Sequence, residues 1–254
     1  MEYTSREMMA IAAAREIRNG DIVFCGTGIS MLAAMAAKRI SAPESVIFFE
    51  TGAVDPILEE IPMAVSDSRI MYGTSMNSGL ADAFAIMQNQ TTGRHVVGIL
   101  GAAQIDKYGN LNSTSLGDYR EPKVRFPGSG GASDVASFAG RTIIFMQHER
   151  DRFVSKLDYL TSPGWLEGAD SRVIEGLPAG GPTAVITNLA TMRFDEVTKE
   201  MYLSGCYPGV TPDIVQDHME FDVAVNLGRE VPRPTEDELR ILREVCDPQR
   251  LILG

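Results

Sequence analysis

Short apolar runs that each stop at a glycine or a polar residue constrain this chain most. Ser45-Val-Ile-Phe-Phe-Glu50, His95-Val-Val-Gly-Ile-Leu100 and Thr142-Ile-Ile-Phe-Met146 are too short for buried helices and rich in β-branched and aromatic residues. Asp21 to Cys25 reads the same way, and Val185-Ile-Thr187 and Met201-Tyr-Leu203 follow as later strands. Helical patterns alternate with these runs. Thr4 with Glu7 makes a capping box ahead of an apolar stripe that Asn19-Gly20 ends. Ser30 to Ile40 is alanine-rich and suited to close packing on a sheet, and Thr235 to Glu244 forms a closing helix. Runs without in-out alternation, separated by helices, predict an α/β fold: a mainly parallel, open, Rossmann-like sheet flanked by helices. Ligands in such sheets sit at the carboxyl ends of the strands.

The 254 residues contain no repeat, low-complexity tract or Ser/Gly-rich linker, so one domain spanning 1–254 is expected. A net charge of -11 argues against nucleic acid or an anionic membrane as partner. Cys25, Cys206 and Cys246 form no C-x-x-C pair, which predicts neither a metal site nor a disulfide framework and fits a reducing cytoplasm. No stretch reaches the ~18 apolar residues of a membrane span, and the polar N-terminus does not read as a signal peptide.

Residues just after the apolar runs are the candidates for chemistry. Gly26-Thr27-Gly28, between a strand and a helix, exposes backbone amides suited to a phosphate or oxyanion. Met31 stands where the dinucleotide fingerprint wants a third glycine or alanine. Glu50 has three readings on residue type and place: a holder of a ribose hydroxyl, a solvated strand-end carboxylate, or a nucleophile. For the last, Phe48 and Phe49 supply dry surroundings and Thr51-Gly52 a tight turn. Gly101-Ala102-Ala103-Gln104 and Gly128-Ser129-Gly130-Gly131 offer further amides, and the Gln104 side chain is a candidate donor into the same cleft. His95 and His148 near strand ends offer a general base but read more readily as structural, and Cys25 beside the first glycine turn borders the cleft but reads more readily as a small buried apolar residue.

Taken in order, these motifs resemble the β subunit of glutaconate CoA-transferase and, more broadly, class I CoA-transferases. The likeness rests on Val23-Phe-Cys-Gly-Thr-Gly28, Glu50-Thr-Gly52, the long segment Gly101 to Tyr119, Phe126-Pro-Gly-Ser-Gly-Gly-Ala132, Met146-Gln-His-Glu149 and Tyr159 to Trp165. The resemblance implies a CoA-transferase-like fold with Glu50 as catalytic nucleophile. It places the acyl-CoA at Gly26, Thr27, Gly28, Thr51, Gly52, Gly101, Ala102, Gln104, Gly128, Gly130 and Gly131. It further implies ping-pong transfer through a glutamyl-CoA thioester, with coenzyme A as substrate, no tightly bound cofactor and no metal. An α subunit of similar fold is the implied partner, in an α2β2 or larger assembly, with a short-chain acid as acceptor. Two positions depart from the pattern: Thr51 where serine is common, and Tyr72 to Asn77, which bears on the acyl pocket. A decarboxylase or hydrolase of acyl-CoA on the same scaffold, or a sugar-phosphate-binding module, are the competing expectations.

Overall fold

The computed structural model describes residues 2–178, 180–228 and 230–254. These form two compact units, Met1–Ile99 with Arg233–Gly254, and Leu100–Pro232. The division falls inside a strand, which is why no linker composition marks it.

The first unit begins with helix α1 (Ser5–Ala14), whose Thr4 cap and Glu7 form the expected capping box. Strand β1 (Ile22–Phe24), helix α2 (Ile29–Ile40) and strand β2 (Val46–Phe48) follow. The chain then makes β3 (Ala53–Val54), the edge strand β4 (Met76–Asn77), helix α3 (Leu80–Gln88) and β5 (Val96–Gly101). β1 lies between β2 and β5, parallel to both, with Phe24 level with Phe48 and with Gly98. β3 adds antiparallel beyond β2 because a short turn can only return the chain antiparallel, and β4, reached through a long connection, pairs antiparallel with β3. The alanines of α1 and α2 are buried and let the two helices pack closely.

In the second unit, the ribbons β6 (Gln104–Ile105) with β7 (Leu111–Asn112) and β8 (Ser115–Leu116) with β9 (Val124–Arg125) precede α4 (Ala132–Phe138). A sheet follows from β10 (Arg141–Phe145), β11 (Pro182–Ile186), β12 (Ala190–Phe194) and β13 (Met201–Cys206), ending in β14 (Ala224–Val225). β10 with β11 and β13 with β14 are parallel. The tightly connected β11, β12 and β13 pair antiparallel. Short helices α5 (Ser171–Ile174) and α6 (Pro212–Asp217) lie in the connections. No helix among the described residues is long and apolar enough to cross a membrane.

The closing helix runs over Glu236–Arg240 and continues as a wider π-type turn over Ile241–Cys246. It is clasped to α1 by two reciprocal bidentate pairs. Arg243 donates to Glu7 at 2.6 and 2.9 Å, and Arg15 donates to Glu238 at 2.9 and 2.7 Å. Both glutamates also accept from the backbone of their own cap threonine. Each cap of one helix is thus gripped by an arginine of the other. The Arg243 guanidinium beside Glu7 holds that buried carboxyl below the usual carboxylate range.

Arg243→Met leaves a buried carboxylate without its cation and is expected to cost about 2 kcal/mol at neutral pH, read from urea midpoints. Because the folded carboxyl has the lower pKa, its contribution is complete above the unfolded value of about 4.3 and fades as pH falls through the folded value. The gap between wild type and Arg243→Met therefore closes as pH falls through the lowered folded value. A gap that persists there would assign the loss to packing.

Candidate active site

Phe48 and Phe49 are completely buried, and Phe24 meets Phe48 edge-on at 5.3 Å and an interplanar angle of 77°. This aromatic wall brings β2 to the surface at one point, a reverse turn over Phe49 to Gly52. The Gly52 amide donates to the Phe49 carbonyl at 3.0 Å, and the Phe49 amide to the Ala53 carbonyl at 3.0 Å. Glu50 and Thr51 occupy the two central positions. Gly52, at φ 93°, is the left-handed residue that closes such a turn with a bulge. A Cβ there would lie 1.9 Å from the Ser78 carbonyl oxygen, which accepts no such approach. The Ser78 amide in turn donates to the Gly52 carbonyl at 2.9 Å. The segment Tyr72 to Asn77 is therefore part of the frame: it ends in β4, whose Asn77 is level with Ala53 and Met76 with Val54.

The Glu50 side chain is half-buried and makes no hydrogen bond or ion pair among the described residues. A carboxylate that is partly dry and unpaired keeps its lone pairs for an incoming carbon. Thr51 carries a second unusual feature. Its Oγ1 is buried and finds no hydrogen-bond partner among the described residues, a condition that costs a folded protein about 1–3 kcal/mol.

Gly26-Thr27-Gly28 lies beside this turn. The Cys25 amide donates to the Phe48 carbonyl at 3.0 Å, so the parallel register carries residues 25 and 26 alongside 49 and 50 at the carboxyl ends of β1 and β2. Gly28 is the N-cap of α2, at φ 78° and ψ -141°, and no side chain caps the helix. Its first amides keep their donor capacity and its dipole favours an anion. A Cβ on Gly26 or Gly28 would meet open space. The structure thus joins Gly26, Thr27, Gly28, Glu50, Thr51 and Gly52 in one place. At the far end of the same elements, Lys38 of α2 is ion-paired with Asp55 and donates to the Ser45 carbonyl at 2.9 Å, tying α2 to the hairpin.

The other candidates belong to the second unit. Gly101 ends β5 and Ala102 is half-buried in the turn after it. Gln104 is 6% exposed, and its amide oxygen and one amide hydrogen are committed within this unit. Oε1 accepts from Asn112 Nδ2 at 2.7 Å and from the Asp158 amide at 3.1 Å, while Nε2 donates to Asp158 Oδ2 at 3.1 Å. The side chain read as a donor into a cleft ties β6 to β7 and to the loop at 158, because a buried amide must find partners. Asp106 and Asn110 do similar work. Asp106 takes the Tyr108 and Asn110 amides, and Asn110 takes those of Gly164 and Leu166. Burial raises the Asp106 pKa. In the other glycine turn, Gly128 and Gly130 are left-handed, at φ 93° and 50°, and a Cβ on either would meet open space, while Gly131 caps α4.

His148 is buried, stacked on Phe153 at 4.4 Å between centroids, and bonded to Thr187 Oγ1 and the Val215 carbonyl. Burial pushes its pKa down to about 4, so it is neutral at physiological pH. His95 is exposed at the amino end of β5. Cys25 is buried and its thiol is pushed up to about 12 by burial, as expected of an inert packing residue. The signal that sequence reading missed is the orphan Thr51 hydroxyl, which no residue pattern announces.

An unpaired strand-end carboxylate beside an uncapped helix start suits covalent acyl chemistry, and the chain belongs to the coenzyme A transferase family, whose model matches residues 6–218. It is 42% identical to the β subunit of glutaconate CoA-transferase of Acidaminococcus fermentans over 249 residues, 97% of this chain and 93% of that protein. It is 36% identical to the β subunit of 3-oxoadipate CoA-transferase of Pseudomonas knackmussii over 242 residues, 95% of this chain and 92% of that protein. The crystal structure of glutaconate coenzyme A-transferase from A. fermentans matches with a TM-score of 0.94 at 40% identity, covering 100% of this chain and 98% of that chain. The α/β fold expected from the sequence is therefore the fold of that enzyme. The decarboxylase AibA/AibB, at 20% identity and TM-score 0.82 over 98% of this chain and 97% of that chain, shares the fold.

Gly52→Ala is expected to unfold the hairpin, since its Cβ has no room and the neighbour is backbone. Gly28→Ala meets open space and carries the backbone strain of its positive φ alone, about 1–3 kcal/mol. Thermal melts of the two variants check this, with a loss for Gly52→Ala that exceeds that for Gly28→Ala.

Proposed function

We propose that this chain is the nucleophile-bearing subunit of an acyl-CoA:carboxylate CoA-transferase. The observation that carries the reading is the half-buried, unpaired Glu50 on a rigid turn, with the amides of the Gly26–Gly28 turn beside it. A Glu50 carboxylate oxygen attacks the thioester carbonyl of the donor, and the thioester C–S bond breaks to release CoA thiolate and leave a mixed anhydride. The thiolate then attacks the glutamyl carbon, the acid leaves as its carboxylate, and a glutamyl-CoA thioester remains. The acceptor acid runs the same steps in reverse and departs as the new acyl-CoA. Each half-reaction conserves the thioester's energy and needs neither metal nor external oxidant.

Burial of the carboxylate strengthens the attack by removing water from it, and backbone amides meet the negative charge that develops on oxygen. Gly101, Ala102, Gly128, Gly130 and Gly131 are proposed as further backbone contacts to acyl-CoA, and Gln104 contributes through its main chain. The names of the relatives, which carry glutaconate and 3-oxoadipate, support a dicarboxylic acid as one substrate. Both relatives are one subunit of an enzyme with a second, which supports an α subunit as partner in an α2β2 or larger assembly. The net charge of -11 then leaves that partner to supply cations for the CoA phosphates. The three cysteines are buried and unpaired, which supports a cytoplasmic setting.

Mass spectrometry of the assembled enzyme after incubation with acyl-CoA and no acceptor is expected to show CoA attached at Glu50. Glu50→Gln abolishes both adduct and turnover while keeping the melting temperature. Wild-type transfer by Glu50→Gln would refute the assignment.

A further inference from the structure

We propose that the Thr51 hydroxyl is the donor that stabilises negative charge on the Glu50 side-chain oxygen during attack on the glutamyl carbon. The inference rests on the reading of Glu50 as nucleophile and adds a residue to its chemistry.

Thr51 Oγ1 is out of reach of solvent and unbonded in the resting chain. A hydroxyl in that condition is a standing cost, and its explanation is a state of the site in which it is used. Its position says which state. Glu50 and Thr51 are the two central residues of one turn, so their side chains leave neighbouring Cα atoms. That turn is held from three sides: by buried Phe49, by the Gly52 contact to Ser78, and by the pairing of β3 with β4. The frame fixes the backbone of both residues, and the unbonded Glu50 side chain is the part left to swing its oxygen toward the hydroxyl once it is acylated.

The resting carboxylate takes no hydrogen bond from Thr51. When CoA thiolate adds to the glutamyl carbon of the anhydride, the carbonyl π pair moves onto the glutamyl oxygen. That oxygen becomes a full negative charge until the C–O bond to the departing acid breaks and the pair returns. Thr51 donates a hydrogen bond to it and gives up no proton. An interaction missing in the ground state and made in the transition state lowers the barrier without tightening substrate binding. The helix start at Gly28 contributes a field of the same sign on the neighbouring strand.

The test uses the co-expressed two-subunit enzyme with Thr51→Val, which keeps the shape and removes the hydroxyl, and Thr51→Ser, which keeps the hydroxyl. Thr51→Val is expected to melt at or above the wild-type temperature, since it deletes an unmet polar group. It is also expected to lose about 10²-fold in kcat with KM for acyl-CoA unchanged. Thr51→Ser restores kcat. Rapid-quench mass spectrometry of Thr51→Val should show the Glu50-CoA adduct forming and discharging more slowly. A kcat for Thr51→Val within about twofold of wild type, or a lowered melting temperature that tracks the loss, overturns the proposal while leaving the adduct on Glu50 intact. A wild-type enzyme that forms no Glu50 adduct overturns it together with the parent reading.

Discussion

The absence of a side chain at residue 52 is the condition on which the candidate site rests. Ser78 comes so close that a Cβ would fall 1.9 Å from its carbonyl oxygen. That approach lets β3 return along β2 and lets β4 add beyond it, with Glu50 and Thr51 lifted at the bend. Buried Phe48 and Phe49 hold the bend from beneath. Loosening any of these contacts gives the carboxylate back to water, where it is a weak nucleophile.

Glycine serves two opposite purposes in this chain. At Gly52, Gly109 and Gly164 a Cβ would strike backbone or a ring, so the residue is there to let segments touch. At Gly26, Gly28, Gly128 and Gly130 a Cβ would meet open space, and the last three have left-handed φ. The second group suits a ligand with several anionic oxygens, and an acidic chain has reason to meet such a ligand through amides.

The strand runs, the α2 helix, the Thr4 cap, the closing helix and the Glu50 turn were legible in the sequence because they are local. A capping box, an apolar run or a glycine turn is decided within a few residues. Polar residues of the Gly101 to Tyr119 motif were harder to place. Gln104 has the chemistry of an oxyanion donor, and Asn112 and Asp158 take up its amide oxygen and one of its two amide hydrogens. His148 sits near a strand end but is closed between Phe153, Thr187 and Val215.

Sequence by itself determined the α/β class, the family and the identity of the strand-end carboxylate, since periodicity and motif order survive without coordinates. Tertiary structure alone decided which polar groups are spent and which are spare. Glu7 and Arg243 stand 236 positions apart and clasp; Thr51 stands beside Glu50, and its hydroxyl is left unmatched. The reason is that a hydrogen bond depends on atoms a few ångströms apart in space, and the chain brings those atoms together only after its apolar runs have packed.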